Sequence, residues 1–197
     1  GPERHQRDVD EKSRMPGVVI GLAYTPVGGE ILFIEATSYP GKGIITLTGH
    51  GGHGAMPHMA VDPVVAAASV VMALQTVVAR NVDPQQTAVV SVGVLQAGHA
   101  NNVIPHSAHL QLSVRSLDNG VRQLLQKRIT EIVQAQAQSF GVTAEIDYRR
   151  GYAVLMNSKE ETDFARQVGI ELVGADKVTL QGAALTGSED FAYMLEK

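Results

Sequence analysis

Gly49-His50-Gly51-Gly52-His53-Gly54-Ala55-Met56-Pro57-His58 interleaves imidazoles with glycines, which is poor material for a core and good material for a site. Glycine lets backbone approach a ligand closely and reach positive φ. Each imidazole can donate a hydrogen bond or bind a metal ion. One reading is a substrate-facing loop centred on His53. Another is a surface loop with incidental histidines. A third is a metal site made by His50, His53 and His58; it is the weakest, because their spacing matches no tight ligand signature and no carboxylate or cysteine lies nearby.

Two further features could contact a substrate. Asn101-Asn102-Val103-Ile104-Pro105 falls between two predicted strands. It reads either as a turn, since Asn tolerates left-handed backbone and Pro ends pairing, or as an amide side chain held out to a ligand oxygen. Arg115 ends a strand whose apolar positions are even-numbered up to Val114, so alternation turns it to the opposite face. There it is either a solvated charge or a fork for a carboxylate.

The elements around these residues follow from periodicity. Val18 to Leu22 and Glu30 to Ala36 read as strands joined by a turn at Pro26-Val27-Gly28-Gly29. Ile44 to Thr48 alternates as a half-buried strand and runs straight into the histidine loop. Asp62-Pro63 places a capping side chain before a first-turn proline, opening a helix to about Asn81 with Val64, Ala67, Ala68, Val71 and Leu74 inward. Ala88 to Leu95 and His109 to Val114 are strands. Asp118 or Asn119 caps a second helix, with Val121, Leu124, Leu125, Ile129, Ile132 and Val133 inward and Gly141 as its left-handed stop. Val142 to Tyr148 is a fourth strand.

This order, β-α-β-β-α-β, predicts an α+β, ferredoxin-like domain with two helices on one face of an antiparallel sheet. Beyond it, Ser158-Lys159-Glu160-Glu161 has the capping-box pattern ahead of an amphipathic helix through Phe164, Ala165, Val168 and Leu172. Thr186-Gly187-Ser188-Glu189 repeats that pattern before Phe191 to Leu195.

Composition narrows the function classes. The chain has 197 residues, 44% of them hydrophobic, enough for a substantial core. Its net charge of -4 is interspersed, with no basic run to track phosphates, which argues against nucleic acid. The longest apolar stretch, Val64 to Leu74, is shorter than a membrane span needs. Residues 1–14 are charged and predicted to be a disordered tail without the apolar centre of a signal peptide. With no cysteine there is no disulfide framework or thiolate site, which is compatible with a cytoplasmic protein.

Gly-His-Gly-Ala-Met-Pro-His, the Asp62-Pro63 helix, Asn102-Val103-Ile104-Pro105 and Val114-Arg115, in that order, resemble the lid and dimerisation domain of the aminoacylase and carboxypeptidase family of metallohydrolases. The nearest branch is that of hippurate hydrolase and related N-acyl-amino-acid amidohydrolases. Gly187-Ser188-Glu189-Asp190-Phe191 resembles a motif of that branch's catalytic domain.

The resemblance implies a lid over 41–150, flanked at 15–40 and 151–197 by incomplete pieces of an α/β zinc-hydrolase catalytic domain. It implies a homodimer through the lid, an N-acyl or N-aroyl amino acid as substrate, and two divalent metal ions, zinc as a rule, activating water in the whole enzyme. It gives His53 the catalytic role of stabilising an oxyanion in the partner's site, and gives Asn102 and Arg115 the binding of substrate amide and carboxylate.

The family's metal-ligand motifs are not matched. There is no His-x-Cys-Gly-His-Asp, Glu160-Glu161 lies in a helix beyond the lid, and Ala23 stands where a ligand histidine is expected. Glu189 and Asp190 read better as helix N-terminal acids than as replacement ligands. The expectation is therefore a chain that touches substrate but binds no metal itself, as a fragment, a spliced version or a degenerate relative. The rival readings are a non-catalytic dimerisation or binding module and a histidine-loop metal carrier.

Overall fold

The computed structural model describes residues 18–25, 28–35, 41–179 and 184–195. The charged tail, the Pro26-Val27 turn and the Ala36 strand end lie outside them. The described residues divide into two units, one within 39–154 and one drawn from 1–38 and 155–197.

In the first unit the elements run β3 (Gly41–Thr48), β4 (Gly52–His53), α1 (Pro63–Asn81), β5 (Ala88–Ala97), β6 (Val103–Ile104), β7 (Ser107–Ser116), α2 (Asn119–Ser139) and β8 (Thr143–Tyr148). In the other they are β1 (Val18–Thr25), β2 (Gly28–Glu35), α3 (Lys159–Val173) and α4 (Ala192–Leu195). Strands β1 and β2 form an antiparallel hairpin.

The main sheet has the order β5-β7-β3-β8 with every neighbour antiparallel, which is the ferredoxin-like arrangement the element order predicts. Alternation decides its faces. Ile45 and Leu47 of β3 lie opposite Leu110 and Ala108 of β7, and all four are buried under the helices. Thr46, His109, Gln111 and Ser113 fall on the other face by the same rule. A bulge between Val92 and Val94 lets β5 keep pairing with β7 through Ala97.

Both helices start where their capping residues predict. The Asp62 carboxylate accepts the Val64 N–H at 2.7 Å and the Asp118 carboxylate accepts the Val121 N–H at 2.8 Å. Helix α2 stops at Gly141, whose φ of 70° is costly for any residue with a Cβ. It buries Val121, Leu125, Ile129 and Val133, with Leu124 and Ile132 packed at the margin.

Helix α1 corrects the sequence reading. Its core residues are Ala66, Ala67, Val70, Leu74 and Val77, whereas Val64 and Ala68 face outward. Apolar residues also occupy exposed positions of this helix, at Val64, Val65, Ala68 and Met72, so apolar spacing does not mark its inner face and the sheet it meets decides. By length and composition this helix could cross a membrane. Here it is packed against α2, β5 and β7.

In the second unit, α3 begins after Ser158, but the reciprocal capping box is not made. The Ser158 hydroxyl donates to the Glu161 carboxylate instead of accepting a backbone N–H. Phe164 and Leu172, predicted to face inward, are exposed.

Candidate functional site

The histidine loop and the Asn102 loop, distant in sequence, are joined in space. Past the end of β3, the Gly49 N–H donates to the His106 carbonyl at 2.9 Å. Strand β4 then pairs antiparallel with β6, setting Gly52 opposite Ile104 and His53 opposite Val103. The Gly54 N–H closes the run on the Asn102 carbonyl at 2.7 Å. Both segments read as turns from composition, yet each contains a two-residue strand, because the partner that satisfies its backbone comes from the other loop. His53 and Asn102 are therefore neighbours, and both side chains are exposed.

The loop is also fastened on its other side. His50 and Val61 exchange backbone hydrogen bonds at 3.0 and 2.9 Å. Gly51 presses so close to the 104–106 segment that a Cβ on it would lie 2.7 Å from the Ile104 carbonyl oxygen.

One hydrogen bond fixes the protonation pattern of His53. The Ala55 N–H donates to its Nδ1 at 3.1 Å. A nitrogen that accepts has no proton, so the neutral ring carries its N–H on Nε2. The exposed edge of His53 is thus a hydrogen-bond donor, as an oxyanion requires.

Arg115 is not brought to this cluster. It lies opposite Val89 near the far end of β7, half-buried, with its Nε 3.4 Å from the Ser113 hydroxyl. Eight strand steps from Ser107 to Arg115, at about 3.3 Å each, make roughly 26 Å. No small substrate spans that distance within one chain.

Sequence reasoning missed three histidines. His99, His106 and His109 line an open cleft of about 830 Å³ beside the loops, with Leu95, Val103 and Pro105 among its apolar walls. His109 approaches the hydroxyls of Thr46 and Ser107 at 3.2 and 3.4 Å. Their signal was visible: residues 43–61 and 84–114 contain no Asp, Glu, Lys or Arg, so imidazoles are the ionisable side chains of these two segments.

No metal centre arises from this set. Among the described residues no group of three or more His, Asp or Glu side chains stands close enough to hold an ion, His50, His53 and His58 included. The described residues do not fit a dinuclear site. Glu189 accepts the Phe191 N–H at 3.1 Å on its side chain, the local capping role expected of it.

Comparison with known proteins agrees with this architecture. Residues 40–140 match the family model of the peptidase dimerisation domain. Hippurate hydrolase of Campylobacter jejuni is 43% identical over 152 residues, covering 77% of this chain and 40% of that protein. N-acetyldiaminopimelate deacetylase of Lactococcus lactis is 40% identical over 195 residues, covering 94% of this chain and 50% of that one. The crystal structure of a dinuclear metal binding peptidase of the M20 family from Bacillus subtilis has the same fold, with a TM-score of 0.59 at 24% identity over 79% of this chain and 37% of the other. The chain thus spans 40 to 50% of the length of these two curated relatives.

Proposed function

Given that the chain belongs to the peptidase dimerisation domain family, we propose that it serves a metal-dependent amidohydrolase that cleaves N-acyl or N-aroyl amino acids. The observation that carries this reading is the His53 ring, exposed on a braced loop with its Nδ1 accepting from Ala55 and its Nε2 left as the donor. Two divalent metal ions, zinc by resemblance, would polarise the amide carbonyl and supply hydroxide in such an enzyme. The described residues do not hold them, and their own work is to bind and orient. The His53 Nε2–H donates to the carbonyl oxygen as it gains negative charge, and Asn102 beside it orients the amide. Arg115 clasps the free carboxylate.

The separation of Arg115 from His53 makes a second copy part of this reading. Of the two sheet edges, β8 is flanked by α2, whose exposed positions include Gln123, Lys127, Glu131 and Gln134. Edge β5 is flanked by α1, which exposes Val65 at 52% and Met72 at 70%. The apolar edge is the one a dimer would cover. Two β5 strands pairing antiparallel about a twofold set the Ala97 end of one copy beside the Ala88 end of the other. The first end adjoins His53 and Asn102 and the second adjoins Arg115, so each substrate is shared between copies.

Mixed dimers test this. In the active enzyme His53→Ala and Arg115→Ala should each lower turnover of an N-benzoyl amino acid by about a hundredfold or more. Mixing the two variants should restore about a quarter of wild-type activity, since half the dimers are mixed and each has one intact site. Normal turnover by His53→Ala would remove the oxyanion role. Mixed dimers that recover nothing would remove the shared site.

A further inference from the structure

We propose that His106 is the positioning residue for His53, acting through the Gly51 amide, and that it does so only as a neutral imidazole. Three contacts converge on it. The Gly51 N–H donates to the His106 Nδ1 at 3.3 Å, two residues ahead of His53. The Gly49 N–H donates to the His106 carbonyl at 2.9 Å. The edge of one ring meets the other in the His50 and His106 pair, with centroids 5.9 Å apart and planes at 77°.

The side-chain contact falls where the ladder ends. Extending the β4–β6 register by one residue brings Gly51 opposite Pro105, beyond the two paired positions. There the Gly51 N–H goes to the imidazole of the residue that follows Pro105. Backbone bonds at Gly49 and Gly54 flank this point, and the His106 Nδ1 closes the interval between them.

Chemistry then couples the loop to protonation. An imidazolium donates from both nitrogens and accepts from neither, so a proton on the His106 Nδ1 turns the Gly51 contact from attraction to repulsion. The ionisable groups around it are His50 across the ring contact, with His99 and His109 in the shared cleft. All are imidazoles, so no carboxylate of these segments offsets the new charge, and acidification loosens the strand that aims His53. The same logic holds at the His53 Nδ1, which accepts from Ala55 and is the second acceptor lost on protonation.

This inference builds on the oxyanion reading of His53, but its test is made on the chain itself without turnover. Amide hydrogen exchange and imidazole resonances are followed by NMR from pH 8 to pH 5, the range over which histidine changes charge. At pH 8 the Gly51 amide is expected to be protected, and on acidification its exchange, corrected for intrinsic pH dependence, should speed about tenfold as the His106 ring signals shift. His106→Asn, whose Oδ1 replaces the accepting Nδ1, should keep Gly51 protected at both pH values. His106→Ala should lose that protection at both while Leu110 and Leu125 stay protected. A Gly51 amide indifferent to His106 titration would overturn the proposal. So would His106→Ala matching wild type, or His106→Asn failing as alanine does. Absence of amidase activity from an enzyme whose loop passes these tests would remove the oxyanion reading and leave the coupling standing.

Discussion

His53 stands directly opposite Val103 on the short β4–β6 ladder, and the next residue on each strand, Gly54 and Asn102, is joined by a 2.7 Å backbone hydrogen bond. The candidate donor and the candidate amide are thus held by main chain rather than by side-chain packing. Gly51 is one point where that arrangement can be disturbed, since an added methyl would lie 2.7 Å from the Ile104 carbonyl oxygen and the loop would have to shift. Gly51→Ala is expected to raise the exchange rate of the Gly54 amide and to lower turnover in the active enzyme by about tenfold to a hundredfold, through a displacement of about 1 Å at His53. Thermal stability should change little, because the core lies under the sheet. A variant with wild-type kinetics would show that the ladder does not aim His53.

How much of this was readable beforehand depends on whether the deciding partner is local. Asp62, Asp118 and Gly141 act on their own helices, so their types and places suffice to mark the ends. The sheet order follows from alternation at Leu110 and Leu112 and from the element sequence. The β4–β6 ladder does not, because each half is a glycine or asparagine turn until the other half supplies its hydrogen bonds. His106 was passed over for the same reason: its function exists only in relation to Gly51, which lies in another loop. The inner face of α1 was misjudged at Val64 and Ala68, where an apolar residue outward is what a second copy would cover.

The Tyr148 phenol offers a test of packing at the end of β8. Burial raises its pKa above the ordinary tyrosine value, and the Arg122 and Arg150 charges pull it back in part. The folded state therefore keeps this proton more tightly than the unfolded chain. Its contribution to stability is intact below the unfolded value of about 10 and is lost as pH rises through the folded one. Tyrosinate absorbance during alkaline titration should show one late step that Tyr148→Phe removes, and the variant should lose less stability in that window. A wild-type titration without a late step would mean that the ring is more hydrated than its place beside α2 indicates.

Leu74 and Met72 lie close together on α1 but serve different surfaces, and separating them tests the dimer edge. Leu74 is fully buried, and its truncation to alanine leaves a cavity between helix and sheet, costing about 2–5 kcal/mol and lowering Tm without altering subunit association. Met72 is 70% exposed and touches little within its own chain, so Met72→Asp should leave the folded monomer's stability within about 0.5 kcal/mol of wild type. If the α1 and β5 edge is the dimer surface, that same charge is desolvated on association, and sedimentation should find the variant dissociating at concentrations where wild type is dimeric. Because His53 of one copy and Arg115 of the other then cease to share a substrate, the dissociated variant should also lose turnover although both residues are intact. A Met72→Asp chain that remains dimeric and active would move the interface to another face and undo the shared site.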